Sequence, residues 1–277
     1  MGRNVSGFFL GYALVVLVSC ATKTNSSDTG TEITAPAIET PIINYVVLDT
    51  FPHPKTNFTE GLLIHQGMCY ESTGSPDERP DLKSQIGILN LKTGAFEVKA
   101  TLDSKFFGEG LVIHNAICYQ LTYKNQLGFL YNTNANFSPQ GQFKYPNKEG
   151  WGLTTDGQNI IMSDGTHELS FYTPQTFTPV KKLEVTENGY AISHLNELEY
   201  IKGYIYANIW LSNEVVKIDP LTGKVVGRMD FTTLRNDAYS RFNGIAEMNG
   251  IAYDSINNYV LFTGKLWPVM YAVRFDL

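Results

Sequence analysis

Two glutamates occupy the same place in two similar stretches of the chain. Glu60 lies in FTEGL and Glu109 lies one repeat later in FGEGL, and the likeness continues to a shared Cys-Tyr pair. Weaker copies of the pattern put Trp151, Asn196 and Asn249 at the corresponding position. Carboxylates can transfer protons, and amides can donate hydrogen bonds to a developing charge. A purely structural repeat would tend to keep one residue type there, so this varied column predicts a functional surface.

The repeat also indicates the fold that must position these side chains. Short apolar runs alternate with turn residues from residue 43 onward, and only 232–241 has the pattern of a short helix. Many short strands favour a sandwich, a barrel or a propeller. Successive copies are separated by roughly the ~40–50 residues of a propeller blade. The sequence therefore predicts an all-β, five-bladed β-propeller with four antiparallel strands per blade.

The last repeat is one strand short of the other four. A propeller with unpaired first and last units would leave open sheet edges. The stretch INYVVLD at residues 43–49 has the alternation of a strand and precedes the first repeat. We expect it to be the outermost strand of the last blade, paired with a strand at 269–275, so that it closes the ring.

A second group of side chains falls where the second strands of the blades end. It includes Tyr123, Trp210 and Lys265. In a propeller the first strands line the central channel, so residues near their openings gather at one mouth. A lysine such as Lys265 usually keeps its ammonium in water. If it points into the mouth instead, it is a cation beside carboxylates and aromatic rings.

Composition excludes some classes of function. The formal net charge of −6 argues against a nucleic-acid partner, because phosphate binding needs a basic face. The three cysteines indicate no disulfide framework, and Cys69 and Cys118 are most simply small buried residues. The five histidines show no metal-ligand spacing, and neither a glycine-rich phosphate loop nor a nucleophile elbow occurs.

The first 20 residues have the pattern of an export signal. Arg3 precedes an apolar run from Gly7 to Ser19, whose length suits a signal peptide better than a membrane span. The run ends in LVSC, which resembles the lipobox of bacterial lipoproteins; the alternative is an ordinary signal peptide with a chance cysteine. We expect lipidation at Cys20, a flexible linker over 21–42 and a propeller domain over 43–277. The expected location is the periplasmic side of the cell envelope, anchored to the membrane.

Six motifs carry a resemblance to a known family. FTEGL, FGEGL, GWGLT, LNELEY, IW and TGKLWP occur in the order seen in the plant-type glutaminyl cyclases, also called glutamine cyclotransferases, over about residues 45–277. Members of that family are five-bladed propellers that convert the N-terminal glutamine of a peptide or protein to pyroglutamate and release ammonia. The resemblance implies this acyltransferase activity in a monomer, with no catalytic metal and no cofactor. A structural divalent cation in the channel is left open.

The motifs also carry over site residues. The resemblance implies Glu109 as the proton-transfer group, with Asn196, Lys265 and an indole N–H as donors to the oxyanion. The residues expected to bind substrate are Phe58, Glu60, Phe107, Tyr123, Trp151 and Trp210. Glu60 replaces the glutamine of plant members and Tyr123 replaces a frequent tryptophan, so substrate preference stays open.

Two other functions remain compatible with a propeller. A catalytically silent lipoprotein could bind a peptide or a sugar at the same mouth, since fold alone does not determine function. A lactonase or lyase would want metal-binding carboxylates or histidines around the channel, and these are sparse. The combination of Glu109, Asn196 and Lys265 favours cyclisation, because a binding protein would not require all three.

Overall fold

The computed structural model describes residues 39–277, which form five four-stranded antiparallel sheets. The first strand, β1 (Val46–Pro52), belongs to the last blade. Blade 1 contains β2 (Thr59–His65), β3 (Met68–Thr73), β4 (Gln85–Leu89) and β5 (Phe96–Thr101). Blade 2 contains β6 (Gly108–His114), β7 (Ile117–Thr122), β8 (Leu127–Asn132) and β9 (Ser138–Lys144), with a 3₁₀ turn at Thr133–Ala135. In both of these blades the strand order in the sheet follows the chain, as expected for hairpin-connected strands.

The remaining blades have the same plan. Blade 3 contains β10 (Leu153–Thr155), β11 (Ile160–Met162), β12 (Glu168–Tyr172) and β13 (Pro179–Glu184), followed by the hairpin β14 (Thr186–Glu187) and β15 (Tyr190–Ala191). Blade 4 contains β16 (Leu195–Ile201), β17 (Tyr204–Ile209), β18 (Glu214–Ile218) and β19 (Val225–Asp230). The predicted helix is present as α1 (Thr232–Arg241), before β20 (Met248–Asp254), β21 (Tyr259–Gly264) and β22 (Val269–Arg274) of blade 5. The predicted five-bladed propeller is confirmed.

The N-terminal strand closes the ring as predicted, with shifted bounds. Strand β1 pairs with β22 from Val46 opposite Arg274 to Pro52 opposite Val269. The predicted span 43–49 begins too early, because the backbone before β1 pairs with blade 4 instead. Ile43 N donates to the Arg228 carbonyl at 2.7 Å, and Ile42 forms a parallel bridge to the same residue. The entering chain thus joins the edges of blades 4 and 5.

The inner strands β2, β6, β10, β16 and β20 contact one another around the channel. Glycines allow this close approach. A Cβ on Gly152 would lie 2.2 Å from the Asn196 carbonyl oxygen, and one on Gly110 would lie 2.5 Å from that of Trp151. In blade 4 the corresponding residue is Glu197 rather than glycine. The glycines at this position of the repeat therefore let the first residues of the inner strands lie close enough for their side chains to contact one another.

Apolar side chains between neighbouring blades form the core. The largest cluster joins blades 4 and 5 and contains Tyr206, Phe231, Phe262 and Trp267, with Phe231 and Phe262 ring centroids 4.3 Å apart. Cys69 and Cys118 are buried and free, as expected of small core residues. Within residues 39–277, no helix has the length and apolar character needed to cross a membrane. The predicted signal peptide, Cys20 and most of the predicted linker lie outside the described residues.

Candidate active site

The openings of the inner strands surround a cavity of about 160 Å³. All nine residues that the sequence suggested for catalysis and substrate binding line it, together with one proline that it did not suggest. The ten are Phe58, Glu60, Pro76, Phe107, Glu109, Tyr123, Trp151, Asn196, Trp210 and Lys265. Cavities of about 150 Å³ hold a benzene-sized ligand, so this one is sized for a single side chain. The fifth member of the column, Asn249, lies behind the lining and donates to Glu60 Oε2 at 3.3 Å.

Lys265 points into the mouth rather than into solvent. Its Nζ lies 2.9 Å from Glu60 Oε1 and 4.7 Å from the centre of the Phe58 ring. Lys265 is 7% exposed and Glu60 is 2% exposed, so the pair is almost fully shielded from water. Burial lowers the pKa of Lys265, but the charges of Glu60 and Glu109 raise it by a larger amount. The net pKa of Lys265 therefore lies above its usual value. The site therefore contains a fixed cation at neutral pH.

The two glutamates line the same cavity, and each shifts the pKa of the other. Burial raises the pKa of Glu60 to about 7, although the charge of Lys265 lowers it. Burial, and next the charge of Glu60, hold the pKa of Glu109 well above its usual range. Neighbouring carboxyls in a buried site do not both ionise readily. Glu109 is therefore a carboxyl that keeps its proton to higher pH than an ordinary glutamate, next to the contact between Glu60 and Lys265.

Aromatic rings form the walls of the cavity. Phe107 lies edge-on to Phe58 at 6.2 Å and tilted against Tyr123 at 5.9 Å, measured between ring centroids. On the other side, Trp151 and Trp210 lie 5.5 Å apart at an interplanar angle of 80°. These rings restrict the conformations of a side chain that enters and keep water away from the carboxyls.

The indole N–H of Trp151 is already in use. It donates to Glu149 Oε2 at 2.9 Å, so Trp151 does not supply the oxyanion donor that the sequence analysis allowed for. Glu149 also raises the pKa of Glu109 through its charge, behind the larger effects of burial and Glu60. Its position two residues before Trp151 carries no repeat signal, which explains why sequence reasoning missed it.

Two glycines that support the aromatic walls were also missed. A Cβ on Gly74 would lie 2.3 Å from the Phe107 ring, and one on Gly165 would lie 2.6 Å from the Trp151 ring. Gly165 in addition has a φ of +78°, which disfavours other residues. The sequence did contain a signal for these glycines. Blades 1 and 3 have a glycine soon after the second strand, whereas blades 2 and 4 have Tyr123 and Trp210 there.

Asn196 has hydrogen-bonding capacity left over. Its side-chain Oδ1 is buried and finds no partner among residues 39–277, while its backbone carbonyl accepts from the Ser163 hydroxyl at 2.6 Å. Buried amide groups normally have partners. The unpartnered Oδ1 of Asn196 in the cavity wall therefore indicates a position where a ligand donates the missing hydrogen bond. In the same part of the chain, no group of three or more His, Cys, Asp or Glu is arranged to hold a metal ion.

The fold and the site together define a five-bladed propeller with a small, aromatic-walled cavity that contains two glutamates and a lysine. Residues 13–275 match the model of the glutamine cyclotransferase family, and the chain belongs to that family. It is 37% identical over 230 residues to the glutaminyl-peptide cyclotransferase of Arabidopsis thaliana, covering 82% of this chain and 70% of that one. Among solved structures it is similar to the glutaminyl cyclase of Myxococcus xanthus, with a TM-score of 0.77 and 33% identity over 85% of this chain and 98% of the other. The family predicted from the motifs is confirmed.

Proposed function

We propose that this protein converts the N-terminal glutamine of peptides and proteins into pyroglutamate and releases ammonia. Its family, and the activities named for its Arabidopsis and Myxococcus relatives, support the proposal. The observation that carries it is that three buried residues, Glu109, Lys265 and Asn196, line one cavity that is large enough for a single side chain. A propeller that only binds a peptide or sugar would have no need of a buried lysine and two buried glutamates in the lining of one small cavity.

The reaction closes a five-membered ring. The substrate's neutral α-amine attacks its own γ-carboxamide carbon and forms the new C–N bond, and negative charge develops on the former carbonyl oxygen. The amine then gives up one proton, the leaving nitrogen gains one, and the old C–N bond breaks to release ammonia. Aromatic walls that hold the side chain in its ring-closing conformation supply the proximity on which this step depends.

Glu109 is the proton-transfer group in this proposal. The pKa of Glu109 lies well above its usual range and that of Glu60 is about 7, so the pair can bind and release a proton near neutral pH. It can therefore accept the proton of the attacking amine and deliver one to the departing nitrogen, which leaves the pair as it began. The α-amine has an ordinary pKa of roughly 7.7–8.0, so the neutral nucleophile is accessible near neutral pH.

Lys265 and Asn196 are the proposed stabilisers of the oxyanion. Preorganised donors in a water-poor site stabilise developing charge strongly, because they need no reorganisation during the reaction. Lys265 Nζ is fixed by its contact with Glu60, and Asn196 lines the same cavity, where its Nδ2 amide group is the proposed second donor. Its buried, unpartnered Oδ1 is an acceptor, which suits an N–H group of the substrate instead. Phe58, Glu60, Phe107, Tyr123, Trp151 and Trp210 are the proposed substrate-binding residues.

We further propose that catalysis needs no metal. The Lys265 ammonium contacts Glu60 and is close enough to Glu109 to feel its charge, so it occupies the place where a Lewis acid would otherwise polarise the carboxamide. A divalent cation there would be repelled by the ammonium. Whether a structural cation lies in the channel stays open. Oxygen ligands suit such an ion; the buried Asn196 Oδ1 and Asn249 Oδ1 have no partner among residues 39–277, whereas Glu197 already uses both oxygens on backbone N–H groups.

The predicted anchor is a separate proposal. The LVSC sequence ending at Cys20 supports a lipoprotein with a signal peptide, tethered on the periplasmic side of a bacterial cell envelope. Cys20→Ser should release the protein from membranes or block its processing, as measured by fractionation. Unchanged fractionation would contradict the lipobox interpretation. A monomeric state also stays a prediction.

The activity is tested by measuring ammonia release from a glutamine-initiated peptide. We expect release that rises from acid to mildly alkaline pH, as the substrate amine becomes neutral. The N-acetylated peptide and an asparagine-initiated peptide are matched controls, since the first lacks the nucleophile and the second would need a four-membered ring. No release across a panel of glutamine-initiated peptides would favour the binding-protein alternative.

A further inference from the structure

A second buried cluster lies directly behind the cavity. His53 and Glu71 are both fully buried at the side chain, with His53 Nε2 3.0 Å from Glu71 Oε1. Neither residue lines the cavity. His53 follows the ring-closing strand β1, and Glu71 lies in β3 of blade 1. The pair thus joins the strand that closes the propeller to the first blade.

A proton must lie between His53 and Glu71. His53 Nδ1 is 2.6 Å from the Trp267 carbonyl, which can only accept, so the ring donates there. Nε2 then faces a carboxyl oxygen, and one of the two partners has to donate. Burial lowers the pKa of His53, but the charge and hydrogen bond of Glu71 and the Trp267 carbonyl raise it to a net value above its usual one. An imidazolium that donates from both nitrogens satisfies every group.

Glu71 also collects two donors from the segment that leads to Glu60. Asn57 Nδ2 donates to Glu71 Oε2 at 2.7 Å, and the Thr59 hydroxyl donates to Glu71 Oε1 at 2.7 Å. A buried carboxylate with several charge-assisted hydrogen bonds fixes the geometry of its partners. Residues 53–59 are therefore held as one unit on Glu71, and the last of them precedes Glu60.

Residues 53–59 also form hydrogen bonds with the turn that follows Lys265. Besides the His53–Trp267 contact, His53 N donates to the Pro268 carbonyl at 3.1 Å and the Asn57 carbonyl accepts from Leu266 N at 2.8 Å. Leu266 has a φ of +61°, a left-handed conformation that a leucine adopts only when its surroundings impose it. On its other side the turn is held by backbone bonds between Lys265 and residues 246 and 247. The strained residue itself is held from the His53 side.

We propose that His53 and Glu71 form a positioning pair that fixes the Leu266–Pro268 turn and thereby holds Lys265 Nζ against Glu60 at the cavity. The pair touches neither the substrate nor the reacting atoms and acts through Lys265. Losing it should lower kcat far more than it changes KM, because the aromatic walls that bind the side chain stay in place. The inference rests on the proposed cyclisation, in which Lys265 stabilises the oxyanion.

A double-mutant cycle tests whether the His53–Glu71 pair acts through Lys265. His53→Gln is made in the wild type and in Lys265→Met, with His114→Gln as the matched control, a histidine at the far end of β6 from Glu109. We expect His53→Gln to lower kcat about tenfold or more in the wild type and to add little further loss in Lys265→Met. Residues that act as a unit are non-additive in this way. His114→Gln should leave kcat unchanged.

Equal fractional losses from His53→Gln in both backgrounds, or no loss in either, would overturn the positioning role. If His53→Gln fails to fold, Glu71→Gln keeps the shape of the side chain but removes the charge that pairs with His53, and it takes the place of His53→Gln in the cycle. A crystal structure of the variant gives a readout independent of activity: the Nζ–Oε1 distance between Lys265 and Glu60 should exceed 2.9 Å, and an unchanged distance contradicts the proposal. If the wild type releases no ammonia, the proposed function fails, and the structural readout still decides the positioning role.

Discussion

Two sets of buried glutamates lie on the inner strands, and their partners differ. Glu60 and Glu109, at the mouth, face the cavity beside Lys265. Deeper in the channel, Glu197 accepts from Leu62 N at 3.1 Å and Ile251 N at 2.8 Å, and so bridges blades 1, 4 and 5. Its neighbour on the same side of the strand, Glu199, accepts from Tyr253 N at 2.9 Å.

The comparison separates structural from reactive carboxyls of equal burial. A buried carboxyl group that accepts hydrogen bonds from backbone N–H groups of neighbouring blades ties those blades together. The mouth carboxyls instead line a cavity, and Glu60 is held there by the side chains of Lys265 and Asn249. Burial raises the pKa of members of both sets, so a raised pKa does not distinguish the mouth carboxyls from the bridging ones, whereas their hydrogen-bond partners do.

The largest effect is expected from Glu197→Ala, on stability. The substitution leaves two buried N–H groups without acceptors, each costing about 1–3 kcal/mol. We therefore expect a loss of roughly 2–6 kcal/mol in the free energy of unfolding, measured by urea denaturation. Glu184→Ala, at an exposed position, is the control. A Glu197→Ala protein as stable as the control would contradict its bridging role.

The second prediction concerns pH and Glu199. Burial raises its pKa to about 8 in the folded protein, from an unfolded value near 4.5. Between these values the folded state binds more protons, so this contribution to stability is complete below about pH 4.5 and is lost as pH rises through about 8. Glu199→Gln should remove a decline on the order of 3–5 kcal/mol from urea denaturation series across that range. An identical pH profile in the variant would count against it.

Lys265→Met should leave the fold intact and impair turnover. Methionine keeps the apolar stem and removes the charge, and losing one such donor to an oxyanion costs on the order of 100-fold in kcat. Asn196→Ala should act in the same direction by removing an amide from the cavity wall. Steady-state kinetics with a glutamine-initiated peptide measure both, with Lys105→Met, at an exposed position, as control. Wild-type kcat in Lys265→Met would remove Lys265 from the mechanism.

The smallest effect is expected from Glu60→Gln. An amide keeps a hydrogen bond to Lys265, so kcat should fall by less than about tenfold. Since the charge of Glu60 raises the pKa of Glu109, its removal should move the acid limb of the kcat–pH profile to lower pH. A loss as large as that of Glu109→Gln would instead make Glu60 the main proton-transfer group.

The sequence predicted the site residues best where they occupy an equivalent position in each repeat. The recurring column located the openings of the inner strands, and the blade period placed Glu60, Glu109, Trp151 and Asn196 at one mouth. The bounds of the closing strand were less predictable. Residues 41–43 pair with the outer strand of blade 4 at Arg228, and a single strand-like pattern cannot tell which of two neighbouring edges it will join.

Contacts between non-repeating side chains could not be predicted. The Glu149–Trp151 and His53–Glu71 pairs depend on where individual side chains point after folding, and neither has a periodic signature. Nothing in the TGKLWP motif says that Leu266 takes a left-handed conformation or that Lys265 turns inward. Hydrophobic pattern fixes which strands pair, whereas the position of a polar group depends on partners that lie far away in the chain.

The most direct test of the account is the rate of ammonia release by wild type and Glu109→Gln with the same glutamine-initiated peptide. The amide keeps the shape of Glu109 and much of its hydrogen bonding but cannot transfer a proton. We expect a fall in kcat of about 100-fold or more, with unchanged unfolding in urea. Equal rates in the two folded proteins would contradict the claim that Glu109 carries the proton in the cyclisation.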